Sequence, residues 1–442
     1  MPSDDVVEFG GWPKPPRWVW AVAGIAVVAV LAGVVVGHTG AHHTVASATS
    51  RSPAAAASPA PAGPPWPSVA GACGSTVELP QIHLARQRAD VQAKLLIGGA
   101  GLREVTVGSA ISGTVPRLPE RSRIVTSMVA GPRAAYVIDT PCGGSLASVQ
   151  VYRIGASAAH LLGVIADALI GGPHLAWALS YRSSAVLTRV LTSLAGSRAI
   201  RFRPGTEPVA DTPAGLVVER YHPPAGQRPT VELLNPDTGA VLRRIGSGYP
   251  VGAGGHVLLM SLHGCAAILP HGTCTLESVD LNTGRPLATV TLPPGRTLTG
   301  GDLSSPVFSP DGTLAAFQLA RARWDPRFRS RFPGPPSDLA MLNLRTGKLD
   351  VVPGLELPPA TWAGLAFDPT GRWLLATVSE GDHGDLLAWR PGMPGPALVT
   401  SLPGLLAEAP PLLLAPSWWH RGARAARLTH TSSPGAGTTM GP

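Results

Sequence analysis

From about residue 90 to residue 415 the chain alternates short apolar runs with polar ones, and Gly, Pro, Asn or Asp break the runs at short intervals. Strict alternation places side chains on opposite faces of an extended backbone, so each run predicts a strand and each break a turn. Two stretches carry the most specific turns. In PVFSPDGTLAAFQ, Pro310 presets φ and Gly312 admits a positive φ between two strand-like runs; LAFDPTGRWLLAT repeats this around Asp368, Pro369, Thr370 and Gly371. A second turn recurs as N-P-D-T-G at 235–239, D-L-N-T-G at 280–284 and N-L-R-T-G at 343–347.

The turns also set a period. Gly155, Gly196, Gly239, Gly284, Gly347 and Gly392 lie 41, 43, 45, 63 and 45 residues apart. An interval of roughly 40–45 residues with four strands inside it is the mark of a β-propeller blade. The expected fold is therefore all-β, a propeller of seven blades in preference to six or eight. The run around Leu95–Gly113 supplies a further blade, and the late strand in PLLLAPSWW, Pro411–Trp419, completes it and closes the ring.

The aromatic-S-P-D-G turn followed by an apolar strand resembles the repeat of TolB-type and WD40-like β-propellers, and the x-T-G turns resemble the hairpins that join the last two strands of such blades. The resemblance covers about residues 75–420 and is strongest over 230–400. It implies the fold and leaves the activity open, because the same scaffold carries many functions.

Ahead of the repeats the pattern changes. Residues 18–36, WVWAVAGIAVVAVLAGVVV, hold no charge over nineteen positions; as a helix they span about 28 Å, enough for a hydrocarbon core of about 30 Å. Lys14 and Arg17 precede this run and the next basic residue is Arg51, which predicts a cytoplasmic N-terminus and an extracytoplasmic remainder. Ala46 and Ala48 form a small-residue cleavage pattern, but it lies well beyond an apolar run too long for a signal core, so an uncleaved anchor is expected. The predicted organisation is a tail at 1–17, a membrane helix at 18–37, an Ala/Pro/Ser tether at 38–72, the propeller at 73–420 and a C-terminal tail at 421–442. The predicted location is the plasma membrane, crossed once and contacted through residues 18–37.

Composition adds three points. Gly 52 and Pro 47 would suit disorder, but 44 % hydrophobic and 14 % charged residues supply a large core and make them turn formers. The net charge of +8 is almost wholly arginine, lysine occurring only at Lys14, Lys94 and Lys348; no basic stripe or module accompanies it, so nucleic acid is not an expected partner. Four cysteines in an oxidising compartment suggest two disulfides, Cys265–Cys274 across one connection and Cys73–Cys142 at the entry to the fold. His263 and His271 stand beside Cys265 and Cys274, but H-x-C-x5-H-x-x-C is no recognised zinc spacing, and neither metal nor cofactor is predicted.

The candidate site comes from the one long interval. Its excess falls in RARWDPRFRSRFPGPPS, residues 321–337, where Arg321, Arg323, Arg327, Arg329 and Arg331 alternate with Trp324, Phe328 and Phe332. Arginine with aromatics is the composition of binding hot spots, and the guanidinium fork suits carboxylates and phosphates. A decorative loop with solvated arginines has the same sequence. Enzyme signatures fail: IGGAG at 97–101 lacks the crossover that a dinucleotide loop needs, and no G-x-S-x-G occurs. Asp382, His383 and Asp385 suit a cation or acid–base work, or simply a polar hairpin. The leading expectation is a non-enzymatic module that binds a protein or an anionic envelope polymer. The alternatives are a propeller enzyme of lyase, lactonase or cofactor-dependent dehydrogenase type, and a single-pass sensor signalling to a cytoplasmic regulator.

Overall fold

A computed structural model of the 442-residue chain describes residues 6–8, 68–70, 412–414 and 76–403, the last apart from 100, 108–111, 115–122, 143–148, 156–158, 165, 183–187, 195–198, 203, 222–227, 264–272, 299–305, 322–335, 359–360 and 380–382. Among the described residues seven antiparallel meanders of four strands make seven blades. Blade 1 takes its inner strand, Leu412–Leu414, from the end of the chain and its other strands, Ala93–Gly99, Gly101–Val107 and Ser112–Thr114, from the start. Blade 2 spans Arg123–Leu162, blade 3 Ala168–Arg201, blade 4 Thr206–Ser247, blade 5 Tyr249–Thr291, blade 6 Arg296–Leu357 and blade 7 Gly364–Pro403. Each inner strand lies beside the inner strands of both neighbouring blades, so the ring closes. The closure is the expected one, with Leu412 opposite Ile97, Leu413 opposite Leu96 and Leu414 opposite Leu95.

The alternation read from the sequence shows why the blades stack. In blade 4, Leu216, Val218 and Leu234 pack toward blade 3, whereas Val217, Val231 and Leu233 pack toward blade 5. In blade 1, Leu95 and Ile97 join the layer shared with blades 6 and 7, and Leu96 and Leu102 join the layer shared with blade 2. Every inter-blade junction holds such a layer. The core is thus a series of two-sided layers, which explains middle strands that are apolar at nearly every position.

Glycine does its work at the junctions. A Cβ on Gly254 would stand 2.4 Å from Phe308 Cγ of the next blade, and one on Gly172 would stand 2.5 Å from the Asp211 carbonyl oxygen. At these two junctions the end of the inner strand therefore lies close beside the first turn of the blade before it.

Three features go beyond the sequence reading. The excess length of blade 6 is divided: one part is the connection between Leu314–Arg321 and Ser337–Asn343, and another interrupts the inner strand, whose halves Arg296–Leu298 and Val307–Phe308 pair with the same second strand. A hairpin of Ser68–Ala70 with Thr76–Glu78 begins inside the stretch expected to be tether. Two blades gain a fifth, outer strand, since Gln81–Ile82 pairs with the outer strand of blade 6 and Val6–Glu8 runs parallel to Ala199–Arg201 of blade 3. The apolar stretch 18–37 and the tail 421–442 lie outside the described residues; among those described, no helix is long and apolar enough to cross a membrane.

Candidate functional site

A four-strand meander sends its first and third connections to one face of the ring and its second connection, with the link to the next blade, to the other. The two faces differ in chemistry. On the first, the x-T-G turns are near copies of one another. Asn235 Oδ1 accepts N–H of Asp237 and Thr238 at 2.7 and 3.0 Å, Asp280 Oδ1 accepts N–H of Asn282 and Thr283 at 2.8 Å each, and Asn343 Oδ1 accepts N–H of Arg345 and Thr346 at 3.0 and 2.9 Å. Gly239, Gly284 and Gly347 follow at φ 67–72°, the left-handed conformation that glycine adopts without strain. The S-P-D-G turn uses Ser309 Oγ, which accepts Leu314 N–H at 2.9 Å and donates to Asp311 at 2.6 Å, and in the next blade Asp368 takes the same role by accepting N–H of Arg372 and Trp373. In blades 4 to 7 the described turns of this face thus satisfy their own polar groups.

Two of these carboxylates titrate low. Burial pushes Asp280 up, but N–H and O–H donation from Thr283 and Asn282 outweighs it, and the net shift is downward; Asp311 behaves alike through Ser309 and Thr313. A group whose folded pKa lies below its unfolded value contributes stability that is present above the unfolded pKa and lost as pH falls through the folded one. The chain is therefore expected to lose stability as pH falls below about 4. Asp280→Asn is expected to keep the turn, as Asn235 and Asn343 do, and to flatten that decline in a series of thermal melts.

The same face holds a His–Asp pair that the sequence reading missed. Asp211, its side chain fully buried, accepts N–H of Leu175 at 3.0 Å and of His174 at 3.3 Å, and its other oxygen accepts Nδ1–H of the His174 ring at 3.0 Å. The carboxylate joins blade 4 to the first turn of blade 3 and leaves Nε2 as the acceptor of a ring that is 39 % exposed. Counting from the ladder, Asp211 occupies the place of Phe308 in blade 6 and Phe367 in blade 7, a departure from the repeat that the sequence contains.

The described flanks of most of the predicted residues lie at the second face. Arg321 ends the second strand of blade 6, and Arg323, Trp324, Arg327, Phe328, Arg329, Arg331 and Phe332 lie outside the described residues, in the connection that leaves from this face. Cys142 follows the second strand of blade 2 and Cys274 precedes the third strand of blade 5. Both are disulfide-bonded, while Cys73 and Cys265 lie outside the described residues. His383 opens the third strand of blade 7, with Asp385 two residues on along the same face of the sheet, and Asp382 lies outside the described residues. Ile97, Gly98 and Gly99 of the IGGAG segment end one strand and Gly101 begins its antiparallel partner, so the segment belongs to a hairpin. Among the described residues no three His, Cys, Asp or Glu side chains gather as a metal site.

The strand pairing decides the architecture. The described residues form a seven-bladed β-propeller. No family model matches it and no curated protein resembles it in sequence. Solved structures similar to it include hydrazine synthase of Kuenenia stuttgartiensis, at 13 % identity over 68 % of this chain and 91 % of that one with a TM-score of 0.41. A candidate 6-phosphogluconolactonase of Bacteroides uniformis matches at 13 % over 73 % and 99 %, TM-score 0.43, and TolB of Acinetobacter baumannii at 15 % over 73 % and 67 %, TM-score 0.36. At that level of likeness the propeller rests on this chain's own strand pairing, and no activity is carried across.

Proposed function

We propose that this propeller is a membrane-anchored, extracytoplasmic binding or scaffold module that takes a protein or an anionic envelope polymer on the face carrying the second connections. The observation behind this reading is placement. The Arg/aromatic insertion of blade 6 leaves from the same face as the cysteine-bearing connections of blades 2 and 5, whereas the described turns of blades 4 to 7 on the opposite face satisfy their own polar groups. Residues 18–37 serve as the anchor, and Cys73–Cys142 and Cys265–Cys274 are the proposed disulfides.

Replacing residues 322–335 by a Gly/Ser segment of equal length in the full chain is expected to abolish co-sedimentation with isolated envelope polymer and to leave thermal stability within experimental error. Replacing 222–227 of blade 4 in the same way is the control. Retention by wild type is expected to weaken with salt, as exposed arginine contacts do. Retention unchanged by the blade 6 replacement would overturn the reading.

The proposed anchoring requires Val6–Glu8 to leave its pairing with Ala199–Arg201 when residues 18–37 enter a bilayer, because the span puts the two on opposite sides. Ser3→Cys is expected to stay unlabelled by a membrane-impermeant maleimide in intact cells and to label after lysis. Labelling in intact cells would overturn the orientation.

A further inference from the structure

The blades can be compared position by position. Five residues before the residue that closes the third strand stand Thr230, Thr275, Asp338 and Asp385, in blades 4 to 7. Each lies toward the second face. Thr230 accepts from Arg244 Nη2 at 3.1 Å. In blade 6, Asp338 receives Arg296 Nη1 from the inner strand, in an ion pair whose guanidinium side chain is 24 % exposed and whose carboxylate is 7 % exposed. Blade 6 thus answers a buried carboxylate with an arginine at the rim.

Blade 7 has the carboxylate without the arginine. Asp385 is 9 % exposed, and its Oδ1 is closed from solvent and has no hydrogen-bond partner among the described residues. Continuing the ladder three residues back from Gly364 opposite Thr377 puts Thr361 where blade 6 has Arg296. Threonine is far too short to bridge as arginine does. Gln318 of blade 6, which faces this junction, is engaged elsewhere: its Nε2 donates to Ser337 Oγ at 3.1 Å and to the Thr361 carbonyl at 3.2 Å, and its Oε1 accepts Ala363 N–H at 3.4 Å. A buried carboxylate oxygen left without a donor costs about 1–3 kcal/mol or more, so such a group in a native fold calls for a partner.

We propose that Asp385 is the anchor of a cation subsite at the second face of blade 7, which takes a guanidinium or primary ammonium group from a bound ligand in the place that Arg296 fills in blade 6. The subsite shares its face with the proposed arginine-rich surface and complements it, because one accepts anionic groups and the other a cationic one. It rests on the reading of that face as the binding face, but its chemistry is separate from the insertion, so each fails on its own test.

The test uses the full chain in detergent micelles with two small probes, N-acetyl-arginine methylamide and its citrulline counterpart, which has nearly the same shape without the charge. The arginine probe is expected to bind one to one and to raise the melting temperature, and the citrulline probe to bind about tenfold more weakly or worse, the loss typical of a charge-assisted hydrogen bond. Asp385→Asn is expected to bind both alike, and Thr361→Arg, which supplies the cation from within, to bind neither. Equal binding of the two probes by the wild-type chain would overturn the proposal whether or not the variants fold, and so would an unchanged preference in Asp385→Asn. Calcium or zinc chloride displacing the arginine probe at equal concentration would identify a metal site and overturn it likewise. Loss of envelope binding on replacing 322–335 leaves these results unchanged.

Discussion

A chain ending at residue 405 is expected to lose cooperative unfolding altogether. The missing segment contains the inner strand of blade 1, Leu412–Leu414, which hydrogen-bonds to Leu95–Ile97. Leu95, Leu96 and Ile97 are 0–1 % exposed in the closed ring, and Leu412 is itself 9 % exposed. Uncovering one large aliphatic side chain costs about 1.5–3 kcal/mol. Losing the strand and baring part of its partners therefore removes on the order of 5 kcal/mol, which is comparable to the whole net stability of an ordinary domain. The loss also opens the edge of Ala93–Gly99, which can then pair with other molecules. Calorimetry is expected to show a broad transition without a defined midpoint, and a synthetic peptide of residues 409–420 added in trans to restore a sharp one. A sharp transition in the truncated chain would mean that the ring does not depend on its closing strand.

Gly172→Ala is expected to be the most damaging single methyl group among the glycines described. An added Cβ would stand 2.4 Å from Asp211 Cβ, 2.5 Å from the Asp211 carbonyl oxygen and 2.6 Å from its Cγ. Backbone on one side and a fully buried carboxylate on the other leave no flexible group to yield. Overpacking of this kind costs about 3 kcal/mol, and pushing Asp211 away also loosens its bonds to His174 and Leu175. Gly163 has nothing within 4 Å of its added Cβ, so Gly163→Ala is expected to stay within about 0.5 kcal/mol of wild type. Denaturant melts of the two variants provide the comparison, and equal midpoints would remove the junction between blades 3 and 4 as a point of tight packing.

The fold was legible because its signals are local. An Asx residue followed three and four positions later by Thr and Gly closes a turn by itself, and the glycine period therefore marks the connection between the third and outer strands of successive blades. The closing strand was legible for a different reason, since an apolar run at the end of a repeat array has no partner left except the incomplete first blade. The site was less legible because it depends on which residue stands across a junction. Nothing near Asp385 in the sequence distinguishes it from Asp338; the difference lies in Arg296 and Thr361, distant in each blade and brought opposite only by the ladder. His174 and Asp211 are 37 positions apart and meet only between blades. The arginines of 321–331 were conspicuous by composition, and their second connection sets the face they leave from.

The position of the closing strand also has a consequence for synthesis. Blades 2 to 7 can form in order as the chain lengthens, each against the one before, but blade 1 has its middle strands among the earliest folded residues and its inner strand among the last. Leu95, Leu96 and Ile97 must therefore wait, with one edge open, until nearly all of the chain has been made. Non-local pairing of this kind is slow and exposes an aggregation-prone edge meanwhile.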